Sequence, residues 1–139
     1  MPIPYSFIPV GGQIYLTNRK IISVEKLALT TSIARKIADK NIDQENEAFL
    51  ADFGHQFKIY IRTRRKGDSF KPLGSPGNKK LSDCMIDRKW KAEKKVETPV
   101  FLNSYDQILW VPGFPPADFA KVLPKDNWVI RLTYRHSGT

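Results

Sequence analysis

The sequence is poor in the residues that build metal centres and cross-links, with one cysteine, Cys84, and two histidines, His55 and His136, among 139 residues. An internal disulfide is therefore excluded, and a Cys/His zinc site lacks ligands, so no metal is expected. Long apolar runs are also missing. The richest stretch, "ILWVPGF" at 108–114, is short and broken by proline. No charged segment leads into an apolar run near Met1, so neither a membrane span nor a signal peptide is expected. A lone thiol fits a reducing, cytoplasmic setting. The glycines of "GSPGNKKLSD" at 74–83 are not followed by the Gly-Lys-Ser/Thr order of a nucleotide-hydrolysing loop. No nucleophile–base constellation stands out either, so no catalytic residue is assigned and no cofactor is expected in this chain.

Acidic residues are scarcest where basic ones are densest. Between Arg62 and Lys95, twelve Lys/Arg face four acids, so this segment holds +8 of the chain's net +9. Such concentration is the electrostatic footprint of a polyanion binder.

At 139 residues and 41% hydrophobic content the chain can bury one sizeable core. "MPIPYSFIPVGG" reads as extended, "QIYLT" and "KIISVE" as short strands, and "NIDQEN" as a loop. Residues 27–40 fit either a helix or a strand extension followed by a shorter helix. "QFKIYIRT" alternates with Phe57, Ile59 and Ile61 on one side, the period of a half-buried strand. "TPVFLNS" and "QILWVPG" read as a hairpin around Tyr105-Asp106, and "NWVIRLTYRH" as a strand with Trp128, Ile130, Leu132 and Tyr134 facing one way. The expected fold is α+β, mainly antiparallel sheet with one or two short helices. The expected organisation is an N-terminal strand and linker segment, 1–46, and a main domain, 47–139.

A helix is expected from Lys79 to about Trp90, with Asn78 as its N-cap and Leu81, Cys84 and Met85 on its apolar side. Two lysines in a first turn oppose the helix dipole, a cost that suggests an anion partner. Lys79, Asp83, Asp87 and Lys91 recur every four residues, which predicts an ion-pair ladder rather than an acid/base pair. Cys84 reads as a small buried hydrophobe. Trp110 and Trp128 fall in strand patterns that read as core. Trp90 falls away from Leu81 and Met85 on the wheel, and either packs on a second apolar surface or stacks against a partner.

The run 61–100 carries Arg62, Arg64-Arg65, Gly67-Asp68, Phe70, Pro72-Leu73-Gly74, Gly77, the contiguous Lys79-Lys80-Leu81-Ser82-Asp83, Ile86-Asp87, Lys89 and Pro99-Val100, followed by Trp110, Val111 and Gly113. In this pattern the chain resembles the C-terminal domain of bacterial tRNA(Ile)-lysidine synthetase over about residues 47–135. The resemblance implies a β-sandwich of the type shared with the phenylalanyl-tRNA synthetase β chain. It also implies a parent ligase that uses ATP, with Mg, to adenylate the wobble cytidine of tRNA(Ile) and then attaches lysine. Catalysis in that family belongs to an N-terminal PP-loop domain with Ser-Gly-Gly-x-Asp-Ser, which is absent here because Gly11-Gly12 continues into Gln13. This chain is then the part that engages tRNA and is inactive alone, with tRNA(Ile), its own catalytic domain and a second copy as expected partners. Segment and resemblance together nominate Arg62, Arg64, Arg65, Lys66, Lys71, Asn78, Lys79, Lys80, Arg88, Lys89, Lys94 and Lys95 as RNA contacts. Asp68, Asp83 and Asp87 are expected to hold basic side chains in place. Ser69, Cys84-Met85, Trp90-Lys91 and Pro115 depart from the family pattern, Ser69 and Pro115 standing where arginine is usual.

Overall fold

The computed structural model describes residues 2–54 and 57–137; His55 and Gln56, the latter the expected start of a strand, lie outside them. Two four-stranded antiparallel sheets face each other. The first, in the order β1-β5-β8-β9, is built from Ser6–Ile8, Ile59–Arg62, Val100–Leu102 and Ile108–Trp110. The second, β2-β3-β10-β4, is built from Gln13–Tyr15, Lys20–Ala28, Trp128–His136 and Glu47–Ala51. Side chains alternate along these strands, so Ile59 and Ile61 of one sheet meet Ile22, Val24, Leu50, Ile130 and Leu132 of the other in one apolar layer around Phe101, Leu109 and Trp110.

The β8–β9 half of the first sheet is buried on both faces, which is why "VFL" and "ILW" read as unbroken apolar runs. Its second face carries Val100, Leu102 and Ile108. It is covered by a two-stranded ribbon, β6 (Ser69–Phe70) with β7 (Lys79–Lys80), and by the helix α2 (Leu81–Asp87), through Phe70, Leu81, Cys84, Met85 and Trp90. Two further short helices are α1 (Thr31–Ala38), capped by the Thr30 hydroxyl, and α3 (Ala92–Glu97). Residues 27–40 thus take the strand-then-helix form. Tyr105-Asp106 does form the tip between β8 and β9, with Asp106 at φ +61°.

The boundary expected at residue 46 is not a break in either sheet. β1 pairs with β5, and β3 pairs with β10 along nine residues, from Ala28↔Trp128 to Lys20↔His136. Trp128 departs from its expected place in the core. It opens β10 at a point the first sheet does not cover, lies half exposed, and has Lys26 Nζ 5.2 Å from its ring centroid.

Candidate nucleic-acid interface

Lys79 and Lys80 do not start a helix. Both are exposed and extended in β7, opposite Phe70 and Ser69, and Lys80 (φ −71°, ψ 131°) is the residue from which α2 departs. Asn78 therefore precedes the ribbon strand and caps nothing. The reason is backbone pairing, since the ribbon satisfies the main chain of 79–80 and the dipole cost vanishes when the lysines precede the first turn. That turn instead carries Asp83, the sign the dipole favours.

Asp68 organises the adjoining turn. Its carboxylate takes a two-pronged hydrogen bond from Arg62, Nη1 to Oδ2 and Nη2 to Oδ1, both at 2.9 Å, and a third from the backbone N–H of Arg65 at 2.7 Å. Its carbonyl accepts from Leu81 N at 2.8 Å, tying the turn to the start of α2. Gly67, at φ +90°, supplies the left-handed step. Arg62 is 3% exposed, its guanidinium is pushed further up by the hydrogen bonds to Asp68 against the opposing effect of burial, and Asp106 lies 3.6 Å from its Nε. It is a strut inside the protein and does not face a partner, which corrects its place among the expected contacts. The turn it supports presents Arg65 and Lys66 to solvent, with Arg64 half-buried, and the Leu81–Asp68 backbone bond ties this turn to the end of β7, where Lys79 and Lys80 are exposed. Asp68 thus does hold a basic side chain. Asp83 and Asp87 are exposed, and among the described residues neither is in an ion pair. The four-residue ladder does not form, because Lys79 lies in a strand and Lys91 beyond the end of α2.

α2 ends in a left-handed residue, Lys89 (φ +57°), with Lys89 N donating to Ile86 O and Trp90 N to Met85 O, the paired bonds of a Schellman stop. This stop turns Trp90 back into the second apolar layer, where its ring meets Phe114 at 5.3 Å between centroids. Packing is the role Trp90 takes. Arg88 donates to the Gly113 carbonyl and lies 4.4 Å over the Phe114 ring, while Lys94 lies 4.4 Å over Trp90 and 3.7 Å from Glu45. Lys71 is exposed, 3.7 Å from Asp118, and Lys95 is half-buried. Cys84 is buried, and burial pushes its thiol up.

Arg88, Lys89 and Lys94 border an open depression of about 820 Å³ that Lys20, Lys91 and His136 also line, along with Glu45, Glu93 and Glu97. Lys20 and His136 come from the second sheet, where they are register partners. They lie outside the basic segment, and only the β3–β10 pairing places them here. Among the described residues, no group of three His, Cys, Asp or Glu side chains could hold a metal, and no helix is long and apolar enough to cross a membrane.

The geometry defines a β-sandwich domain with a basic helix-and-ribbon layer on one face. A family model described as the TilS substrate C-terminal domain matches residues 59–132, more than half of the sequence, and the chain belongs to that family. Among curated relatives, a tRNA(Ile)-lysidine synthase of Bacillus licheniformis is 36% identical over 80 residues, which cover 58% of this chain and 17% of the relative. One of Bacillus subtilis is 31% identical over 103 residues, 73% of this chain and 22% of the relative. The chain thus spans about a fifth of the length of these relatives. A crystal structure of a TILS C-terminal domain matches with a TM-score of 0.78 at 23% identity, covering 97% of this chain and 99% of that one, which shows the same fold.

Proposed function

We propose that this chain is the tRNA-engaging C-terminal part of a tRNA(Ile)-lysidine synthase. Its task is to hold and orient tRNA(Ile) for a separate catalytic domain of the same protein, in the cytoplasm. There ATP, with Mg, activates the wobble cytidine and lysine is joined to it; no step of that chemistry is assigned to residues here. The reading is carried by the solvent-facing cations Arg65, Lys66, Lys79 and Lys80, fixed on a turn and ribbon that Asp68 ties together. A rigid row of this kind suits a phosphate backbone, where charge positions the partner and bases are read elsewhere. Lys71, Arg88, Lys89, Lys94 and Lys95 extend the basic surface.

The test is fluorescence anisotropy of the 139-residue chain with an isoleucine tRNA and with an unstructured RNA of equal length across a salt series. Tight, salt-steep binding that favours the tRNA supports the reading; equal, weak binding of both RNAs counts against it. Replacing Lys79 and Lys80 with alanine is expected to weaken binding and to flatten the log K against log salt slope by about 0.7–0.9 per lost phosphate contact. An unchanged slope removes the two lysines from the interface.

A further inference from the structure

One surface of the molecule is aromatic rather than basic. A depression of about 520 Å³ is lined by Phe53, Phe57, Tyr60, Tyr105 and Phe119, with Lys58 and Gln107 beside them, and by no carboxylate among the described residues. Tyr60 continues the surface onto β1, where Tyr5 stacks on it at 5.1 Å and 17° and Phe7 lies at 5.5 Å. Tyr5, Phe7, Phe53 and Phe119 are each about half exposed and Tyr105 is 84% exposed. A contiguous exposed apolar patch on a small domain marks a contact site. Here every exposed apolar side chain in the patch is an aromatic ring, and the one charged side chain lining the depression among the described residues is Lys58.

The tip that carries Tyr105 is held rigidly. The buried Asn103 accepts from the backbone N–H groups of Tyr105 and Gln107 through Oδ1, at 2.9 and 3.0 Å, and donates through Nδ2 to Gln107 Oε1 at 2.8 Å. Three hydrogen bonds thus fix a turn whose ring points into solvent. With its Oε1 taken, the exposed Gln107 has its NH2 left to donate outward. Gln107 and Phe119 also border a neighbouring depression where Lys71 and Asn78 stand among Asp68, Asp106 and Asp118, which pair with Arg62 or Lys71.

We propose that this surface stacks unpaired nucleobases of an RNA strand, with Tyr105 and Phe119 as ring platforms, Lys58 at the adjacent phosphate and the Gln107 amide on a base edge. Aromatic rings beside cations are the means by which proteins hold single strands. The inference rests on the RNA-binding reading for its class of partner, but it uses a different set of residues and a different interaction.

Three fluorescent probes test it on the full 139-residue chain: a nine-nucleotide oligoadenylate, the same backbone with abasic riboses, and a short RNA duplex. Oligoadenylate is expected to bind at least about five-fold more tightly than the abasic strand. Tyr105→Ala and Phe119→Ala, both at exposed positions, should remove that advantage while leaving duplex affinity, salt slope and melting temperature unchanged, and Tyr105→Trp should retain it. Equal binding of the adenylate and abasic strands, or an unaffected Tyr105→Ala variant, overturns the stacking surface alone. Failure of all three probes overturns the RNA-binding reading with it. Self-association in sedimentation that Tyr105→Ala abolishes would make the patch a protein contact and also overturn the proposal.

Discussion

Gly113 shows how tightly one position can be specified. At φ +103° it lies where a Cβ would meet the Trp90 ring at 2.8 Å, and its carbonyl accepts from Arg88. Gly113→Ala is expected to cost about 1–3 kcal/mol, read as a lowered melting temperature, because both strain and overpacking oppose it. Arg62 and Arg65 test the difference between a strut and a contact. Arg62→Ala leaves the Asp68 carboxylate without its partner and should destabilise by about 3–5 kcal/mol. Arg65→Ala should change stability by no more than about 0.5 kcal/mol and act on RNA affinity instead. Glu47 contributes to the acid limb. Burial alone would raise its carboxyl, but hydrogen bonds from Lys36 at 2.5 Å and Arg131 at 3.0 Å outweigh that and hold it below the ordinary glutamate value. Its contribution is present above the unfolded value, about 4.3, and is lost as pH falls through the lowered native one. Glu47→Gln should therefore lower the melting temperature at pH 7 and flatten its fall between pH 5 and 3.

The strands were written plainly in the sequence and the basic layer was not. Alternation in 59–62 and 128–136 and the unbroken runs at 100–102 and 108–110 are direct consequences of one-sided and two-sided burial. The stretch 69–97 misleads for a physical reason. Leu81, Cys84 and Met85 do mark a helix, but they say nothing of the ribbon pairing that claims residues 79–80, nor of the left-handed stop at Lys89 that ends the helix before Trp90. The helix expected from Lys79 to about Trp90 is therefore shortened at both ends, and α3 follows it as an element that no sequence pattern marked. Met85→Ala is expected to cost about 2–5 kcal/mol, since its side chain is fully buried beneath the ribbon. A denaturant titration showing less than about 1 kcal/mol would mean that α2 and the ribbon are only loosely seated on the sheet.

For the molecule as a whole, charge distribution was legible and charge assembly was not. Composition located +8 in one segment, yet could not tell the buried Arg62 from the exposed Arg65, nor bring Lys20 and His136 to the side of Lys89. The second outcome depends on β3–β10 pairings between residues a hundred or more positions apart. The same pairings set an order in time. β10 lies between β3 and β4, so an inner strand of the second sheet is the last of its four to be synthesised. Until residue 136 has left the ribosome, β3 and β4 have no neighbour to join them, and the apolar layer they share with the first sheet stays open. Closure over such separations is slow, so folding of this part waits for β10 to be made. A stop codon before Trp128 would remove all of β10 and, with it, the sandwich.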